Sequence, residues 1–421
     1  MTVPLPRVSL CMIVKDEEAQ IERCLDSVMG WVDEAIVVDT GSQDRTVALA
    51  QAKGAQVHHY PWPGDFSTAR NWALNQVTGD WVLVLDADET FLVEQVQALQ
   101  QLLTQENILV ITLLRQEVGA IQSPYSRISR LFRRHPQVYF SRPYHAMVDD
   151  SVLALQAQEP HWRVIAFPDV ALQHWGYEPG TIAARAKAER AQIALESHLQ
   201  EHPGDPYTCA KLGALYGSLG HWSRGQTLLH TGLTQLAQTE QAAEIAYELH
   251  YHLGIAASHL GDPDTAVAHY EAALNQEVDD RLKLGACNNL GSLLLNQNQT
   301  ELAQLVFEQA LEWDPDFALG HYNLGLTKRA LGDGAGAIAA YQRALKLNPS
   351  HASTCQNLGV LLLKRGQIQI GAGLLARAID LHRAQNNPDE ADRLAQTLQE
   401  LGFASPSPIG PETRPLPTDH P

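Results

Sequence analysis

The chain has 421 residues, 45% of them hydrophobic, with 30 Lys+Arg against 48 Asp+Glu and a formal net charge of -18. Single cores stop growing at roughly 250–300 residues, so two or three domains are expected, and so acidic a chain gains nothing from phosphate counterion release, which argues against nucleic acid as a partner. Five scattered cysteines without a CxxC pair argue against a disulfide framework or zinc site, and the lack of any run near 18 apolar residues predicts a cytoplasmic chain with no transmembrane segment.

In chain order, the continuous apolar run Val8–Val14 predicts a buried parallel strand. Asp16 is placed to cap a helix over Glu17–Met29. A second strand over Ala35–Val38 ends at Asp39, and Asp44 is placed to cap a helix that runs to Lys53 and stops at Gly54. Gln56–Tyr60 reads as a strand, Ser67–Val77 as a helix and Trp81–Leu85 as a strand that ends at Asp86. Strand and helix alternating in this rhythm predict a doubly wound α/β sheet, whose ligands bind beyond the carboxyl ends of its strands.

Acidic and polar residues gather at those ends. The first strand leads into Lys15-Asp16-Glu17-Glu18, the second into Asp39-Thr40-Gly41-Ser42-Gln43-Asp44, and the fourth into Asp86-Ala87-Asp88-Glu89. Converging carboxylates repel unless positive charge lies among them. Residues i and i+2 of an extended backbone share a side, so Asp86 and Asp88 can reach one divalent ion, with hard oxygen ligands selecting Mn²⁺ or Mg²⁺. Residue by residue, plainer readings compete. Asp39 and Asp44 could be a turn residue and a helix cap, Arg70 the partner of a surface carboxylate, and His174 a structural imidazole beside Trp175.

The second half repeats. Gly291, Gly325 and Gly359, each after Leu, are 34 residues apart, and Ala310, Ala344 and Ala378 keep the same interval. Leu-Gly early, Ala late and a closing proline (Pro315, Pro349) form the tetratricopeptide pattern. Gly254 and Gly213 head two looser units, giving five repeats, with Tyr270, Phe307 and Tyr341 filling the space between helices. Asp389–Leu401 reads as a capping helix, and the Pro-rich end as a tail that cannot form a core.

Four motifs, C-M-I-V-K-D-E-E, I-V-V-D-T-G-S-Q-D-R-T, F-S-T-A-R-N-W-A-L and G-D-W-V-L-V-L-D-A-D-E, stand in order between Val8 and Thr90. In this order and spacing the chain resembles family 2 glycosyltransferases of the GT-A type, in the branch with tetratricopeptide repeats behind the catalytic domain. Later signposts of that branch follow: Arg130-Leu131-Phe132-Arg133, Pro143-Tyr144-His145, His174-Trp175-Gly176-Tyr177 and Lys187-Ala188-Glu189-Arg190. The resemblance implies an α/β GT-A domain over 1–180, a connecting helix over 181–204 and an all-α solenoid of five repeats over 205–385. A capping helix over 386–402 and a disordered tail over 403–421 complete it.

The resemblance also implies a nucleotide-sugar donor, usually a UDP-sugar. Asp16, Asp39, Ser42, Asp44, Arg70 and Asp86 would contact it, and Asp86, Asp88 and His174 would hold the metal. The start of the helix at Ser67 offers N–H groups that suit an anion. Two departures stand out. Lys-Asp-Glu-Glu replaces the family's frequent Lys-Asn-Glu-Glu, and Ala146 stands where the family commonly has a Glu that is a candidate base. Asp149 or Asp150 then becomes the expected catalytic base, unless the acceptor is a thiol, which needs less help. The repeats would bind an extended peptide or protein acceptor, or serve oligomerisation or docking. The rival readings are a repeat scaffold with an inactive sugar-nucleotide domain and a nucleotidyltransferase, which would need a Gly-rich first loop. A dehydrogenase is excluded, since no G-x-G-x-x-G follows a strand.

Overall fold

The structure, a computed structural model, describes residues 5–142, 144, 146–176, 182–236 and 242–403. The signposts Pro143, His145 and Tyr177 and the tail over 404–421 lie outside the described residues. The chain divides into two compact units, Met1–Leu282 and Lys283–Pro421.

In the first unit the elements are β1 (Val8–Val14), α1 (Ile21–Val28), β2 (Glu34–Asp39), α2 (Thr46–Ala52), β3 (Gln56–His59), α3 (Phe66–Leu74), β4 (Trp81–Val84) and β5 (Glu89–Phe91). Then come α4 (Val96–Leu103), β6 (Ile108–Glu117), β7 (Tyr125–Arg133), α5 (Asp149–Gln158) and β8 (Arg163–His174). The strands form one sheet in the order β3-β2-β1-β4-β7-β6-β8-β5. Its first four strands are parallel, as the sequence predicts, but β7 runs antiparallel to β4, so the whole sheet is mixed. Strand β7 (YSRISRLFR) escapes an apolar-run search because its first six residues are only half-buried.

Alternation along β4 feeds two cores. Trp81 and Leu83 pack with Ile21 and Leu25 of α1 and Leu99 of α4, while Val82 and Val84 pack with Ala73 of α3 and Val152 and Leu155 of α5. Both faces are therefore covered, and the polar strand ends are left for chemistry.

Three local expectations change. Asp16 does not cap a helix; it adopts φ 56°, and α1 starts only at Ile21 with no side-chain cap. Asp accepts the left-handed region more readily than most residues, and this backbone turns its carboxylate toward the loop after β2. Asp44 accepts the Thr46 N–H at 2.9 Å, but the N-cap position of α2 is Arg45. The start of α3 is not an open anion seat, because Asp65 caps it, accepting the Thr68 N–H at 2.7 Å.

Past α6 (Ile182–Glu201) come two helix pairs, α7 (Pro206–Ser218) with α8 (Trp222–Gln235) and α9 (Ala242–His259) with α10 (Pro263–Leu274). They belong to the same unit as the sheet. Arg142 bridges Asp150 of α5 and Asp205, the α7 cap, at 2.9 and 2.6 Å. Arg127 of β7 reaches Asp279 at 2.6 Å, and Arg281 donates to the Pro168 carbonyl.

The second unit holds α11 (Leu284–Asn296), α12 (Thr300–Trp313), α13 (Ala318–Ala330), α14 (Gly334–Leu347), α15 (Ala352–Lys364), α16 (Ile368–Ala384) and α17 (Pro388–Glu400). The repeat glycines mark where one helix of a pair touches the other. A Cβ on Gly291 would lie 2.6 Å from the Phe307 ring, and one on Gly325 2.5 Å from the Tyr341 ring, both rings fully buried. Among the described residues no helix is long and apolar enough to cross a membrane.

Gly325→Ala should therefore destabilise the second unit by about 1–3 kcal/mol through overpacking. Gly373→Ala, where an added Cβ meets nothing within 4 Å, should stabilise it by roughly 0.5–1 kcal/mol through helix propensity. Urea unfolding of both variants checks this, and equal effects would remove the close-approach argument.

Candidate active site

The loops after β1 and β2 are laced together. The Asp16 N–H donates to Ser42 Oγ at 2.9 Å, and Asp16 Oδ1 accepts the Gln43 N–H at 2.7 Å. Asp44 Oδ2 accepts the Glu18 N–H at 3.0 Å. Asp39, 5% exposed, accepts the Ser42 and Gly41 N–H groups at 3.0 and 3.3 Å and lies 3.2 Å from His59 Nδ1. Burial alone would raise the Asp39 carboxyl, but hydrogen bonds from Ser42, His59 and Gly41 hold it below the usual carboxylate range. The structure thus brings Asp16, Asp39, Ser42 and Asp44 together as one fixed rim.

Beside β4, Asp86 is clamped. Its Oδ1 accepts from Arg70 Nη2 of α3 at 2.7 Å, and its Oδ2 from Arg130 Nη2 of β7 at 2.9 Å. Burial would raise the Asp86 carboxyl, but Arg130 and then Arg70 hold it well below its ordinary range. Both oxygens that the sequence assigned to a shared ion are turned to guanidinium groups. Arg70 is itself buried and pairs with the half-buried carboxylate of Asp86 rather than with a surface one.

Asp88 points elsewhere. Its Oδ2 lies 3.1 Å from His174 Nε2, while His174 Nδ1 lies 2.6 Å from Glu117 Oε2. Strand β8 pairs His174 with Glu89, which places the end of β8 against the Asp86–Glu89 turn. Arg115 of β6 completes the network, reaching buried Glu89 and, at 2.8 Å, Glu117. Glu89 in turn accepts the Asp86 N–H at 2.9 Å. The carboxylates Asp86, Asp88, Glu89 and Glu117 are thus matched by Arg70, Arg115, Arg130 and His174. Sequence reasoning missed Arg115, Glu117 and the role of Arg130. Arg115 and Glu117, two apart on a strand beside mostly apolar neighbours, were the available signal.

Burial would lower the His174 pKa, but hydrogen bonds to Asp88 and Glu117 raise it to about 9. Glu117 falls to about 2 because hydrogen bonding to His174 and the charge of Arg115 outweigh its burial.

The two candidate bases differ. Asp150 is gripped by Arg142 at 2.9 and 3.0 Å and by the Ser141 hydroxyl. Burial would raise its carboxyl, but Arg142 and Ser141 keep it low. Asp149 Oδ1 accepts from Ser129 Oγ at 2.7 Å, and burial pushes its carboxyl up.

Among the described residues no three His, Cys, Asp or Glu side chains are grouped so as to hold a metal by themselves. Asp88 and His174 nevertheless fit a shared ion. Adjacent ligands about 2.1 Å from an octahedral centre are about 3.0 Å apart, close to the observed 3.1 Å. Mg²⁺ and similar ions are usually bound by one or two protein carboxylates together with substrate phosphates. Glu117 on Nδ1 would fix the tautomer that presents Nε2.

Without metal, the His174 contribution to stability is present below about pH 6.5 and is lost as pH rises toward 9, since its folded pKa is the higher one. In EDTA the wild type should therefore lose about 3 kcal/mol more unfolding free energy than His174→Gln between pH 6 and pH 10. Parallel pH slopes in denaturant titrations would remove the bridged imidazolium.

A model of glycosyl transferase family 2 matches residues 9–165, and tetratricopeptide-repeat models match residues 247–277 and 288–352. A TPR repeat-containing protein of Synechococcus elongatus is 46% identical over 399 residues, covering 95% of this chain and 98% of its own. An uncharacterized glycosyltransferase of Rickettsia bellii is 31% identical over 156 residues, 35% of this chain and 52% of its own. The SPbeta prophage-derived glycosyltransferase SunS of Bacillus subtilis is 26% identical over 208 residues, 48% and 47% of the two chains. The ordered strand-end motifs, the mixed sheet that presents them, the family match over that sheet and the near full-length relative together lead to one conclusion: the chain belongs to glycosyl transferase family 2, in the group that carries tetratricopeptide repeats behind that domain.

Proposed function

We propose that the chain transfers a hexosyl group from a nucleotide-diphosphate sugar, a UDP-sugar, to an acceptor by a single inverting displacement. The observation that carries this reading is the Asp88–His174 pair at ligand spacing, two residues from the arginine-clamped Asp86 at the carboxyl end of β4. A Mn²⁺ or Mg²⁺ ion on Asp88 and His174 would offset the charge that develops on the leaving nucleoside diphosphate. Asp39 and the Asp16–Ser42–Asp44 rim hold the base and ribose, with their own hydrogen bonds fixing the geometry beforehand. Glu117 keeps His174 oriented.

Asp149 is the better base of the two aspartates. Ser129 fixes the carboxylate through Oδ1, and Oδ2 would take the acceptor proton. A carboxyl pushed up by burial binds that proton more readily than one held low by a guanidinium, as Asp150 is. The repeats support a peptide or protein acceptor that uses the repeat surface.

A donor screen with Mn²⁺, scoring release of UDP, GDP or dTDP, should single out UDP-sugars. Asp88→Ala should lower turnover at least about 100-fold. Wild-type turnover in that variant would refute the ion site. Asp149→Asn should slow transfer by about 10²–10⁴-fold and leave donor affinity within about twofold. If Asp150→Asn alone does this, the base has been misassigned.

A further inference from the structure

We propose that Arg130, acting with Arg70, is a metal-independent seat for the donor's diphosphate, and that Asp86 aims these two arginines rather than binding the ion. The inference rests on the nucleotide-sugar reading above. Each guanidinium spends Nη2 on one oxygen of Asp86. In each, the other terminal nitrogen, Nη1, is buried and has no hydrogen-bond partner among the described residues. The side chains are only 7% and 13% exposed.

Buried donors nearly always have partners, so two orphans on neighbouring arginines call for an absent acceptor. Donor count says which kind. Two guanidinium nitrogens on two side chains are unpartnered, and a single sugar hydroxyl offers one oxygen between them. A phosphoryl group offers several charged oxygens to which two guanidinium forks can donate at once. The donor's diphosphate is the phosphoryl source nearest to hand, because Asp86 shares its loop with Asp88.

The test is calorimetric titration of the full chain with inorganic pyrophosphate in EDTA, where no ion can hold the phosphates. Wild type should bind, Arg130→Gln should bind about 10–100-fold more weakly, and Arg130→Lys should fall between, keeping the charge but losing the fork. Thermal midpoints are read beside the affinities. A merely structural arginine would lower the midpoint and leave pyrophosphate affinity unchanged. If Arg130→Gln fails to fold, Arg130→Lys and Arg70→Lys carry the comparison. Unchanged affinity in the arginine variants overturns the seat, as does no binding by wild type in EDTA. A second titration with UDP and Mn²⁺ separates the two readings. If UDP binds there but the seat has failed, only the seat falls; if no nucleoside diphosphate binds with Mn²⁺, the donor reading falls with it.

Discussion

The clamp on Asp86 is the interaction on which the site is built. A carboxylate beside β4 accepts from a helix arginine and from an arginine of the antiparallel strand β7. Three elements are thus tied together where the ligand would bind. Asp88, two residues on, pairs with His174 instead. Glu89 links the two halves by holding Arg115 and the Asp86 N–H.

This network also explains how so acidic a chain tolerates a cluster of carboxylates. Each acid has a specific cationic or imidazole partner, and low dielectric strengthens such pairs and makes the carboxylate side of the network rigid. Rigidity suits a site that stabilises charge by donors already in place, since nothing then has to reorganise as charge develops.

The first two helix pairs belong with the sheet rather than with the later repeats. Arg142 holds Asp150 and Asp205 at once, and Arg127 holds Asp279. The Arg142–Asp205 and Arg127–Asp279 links each join an arginine of the sheet region to an acid of the helical region. The helices next to the sheet therefore help to fix α5, which carries both candidate bases. In the second unit α11 meets α12 and α13 meets α14 through glycine–aromatic contacts local to each pair, and α15 meets α16 through Gly359 against Gly371 and Leu375.

Amino-acid order alone determined what depends on short periods. Apolar runs marked β1, β2 and β4, since a buried parallel strand must be apolar on both faces. The 34-residue spacing marked the repeats, since every pair needs the same small residue at the same contact. Motif order named the family and pointed to Asp39, Asp86, Asp88 and His174. Tertiary structure decided what depends on residues far apart in the chain. Arg70 and Arg130 meet Asp86 across 16 and 44 positions, and Glu117 meets His174 across 57. No local pattern encodes such pairs, because strand order and direction choose them. That is why Asp86 read as an ion ligand in the sequence and is an arginine anchor in the fold.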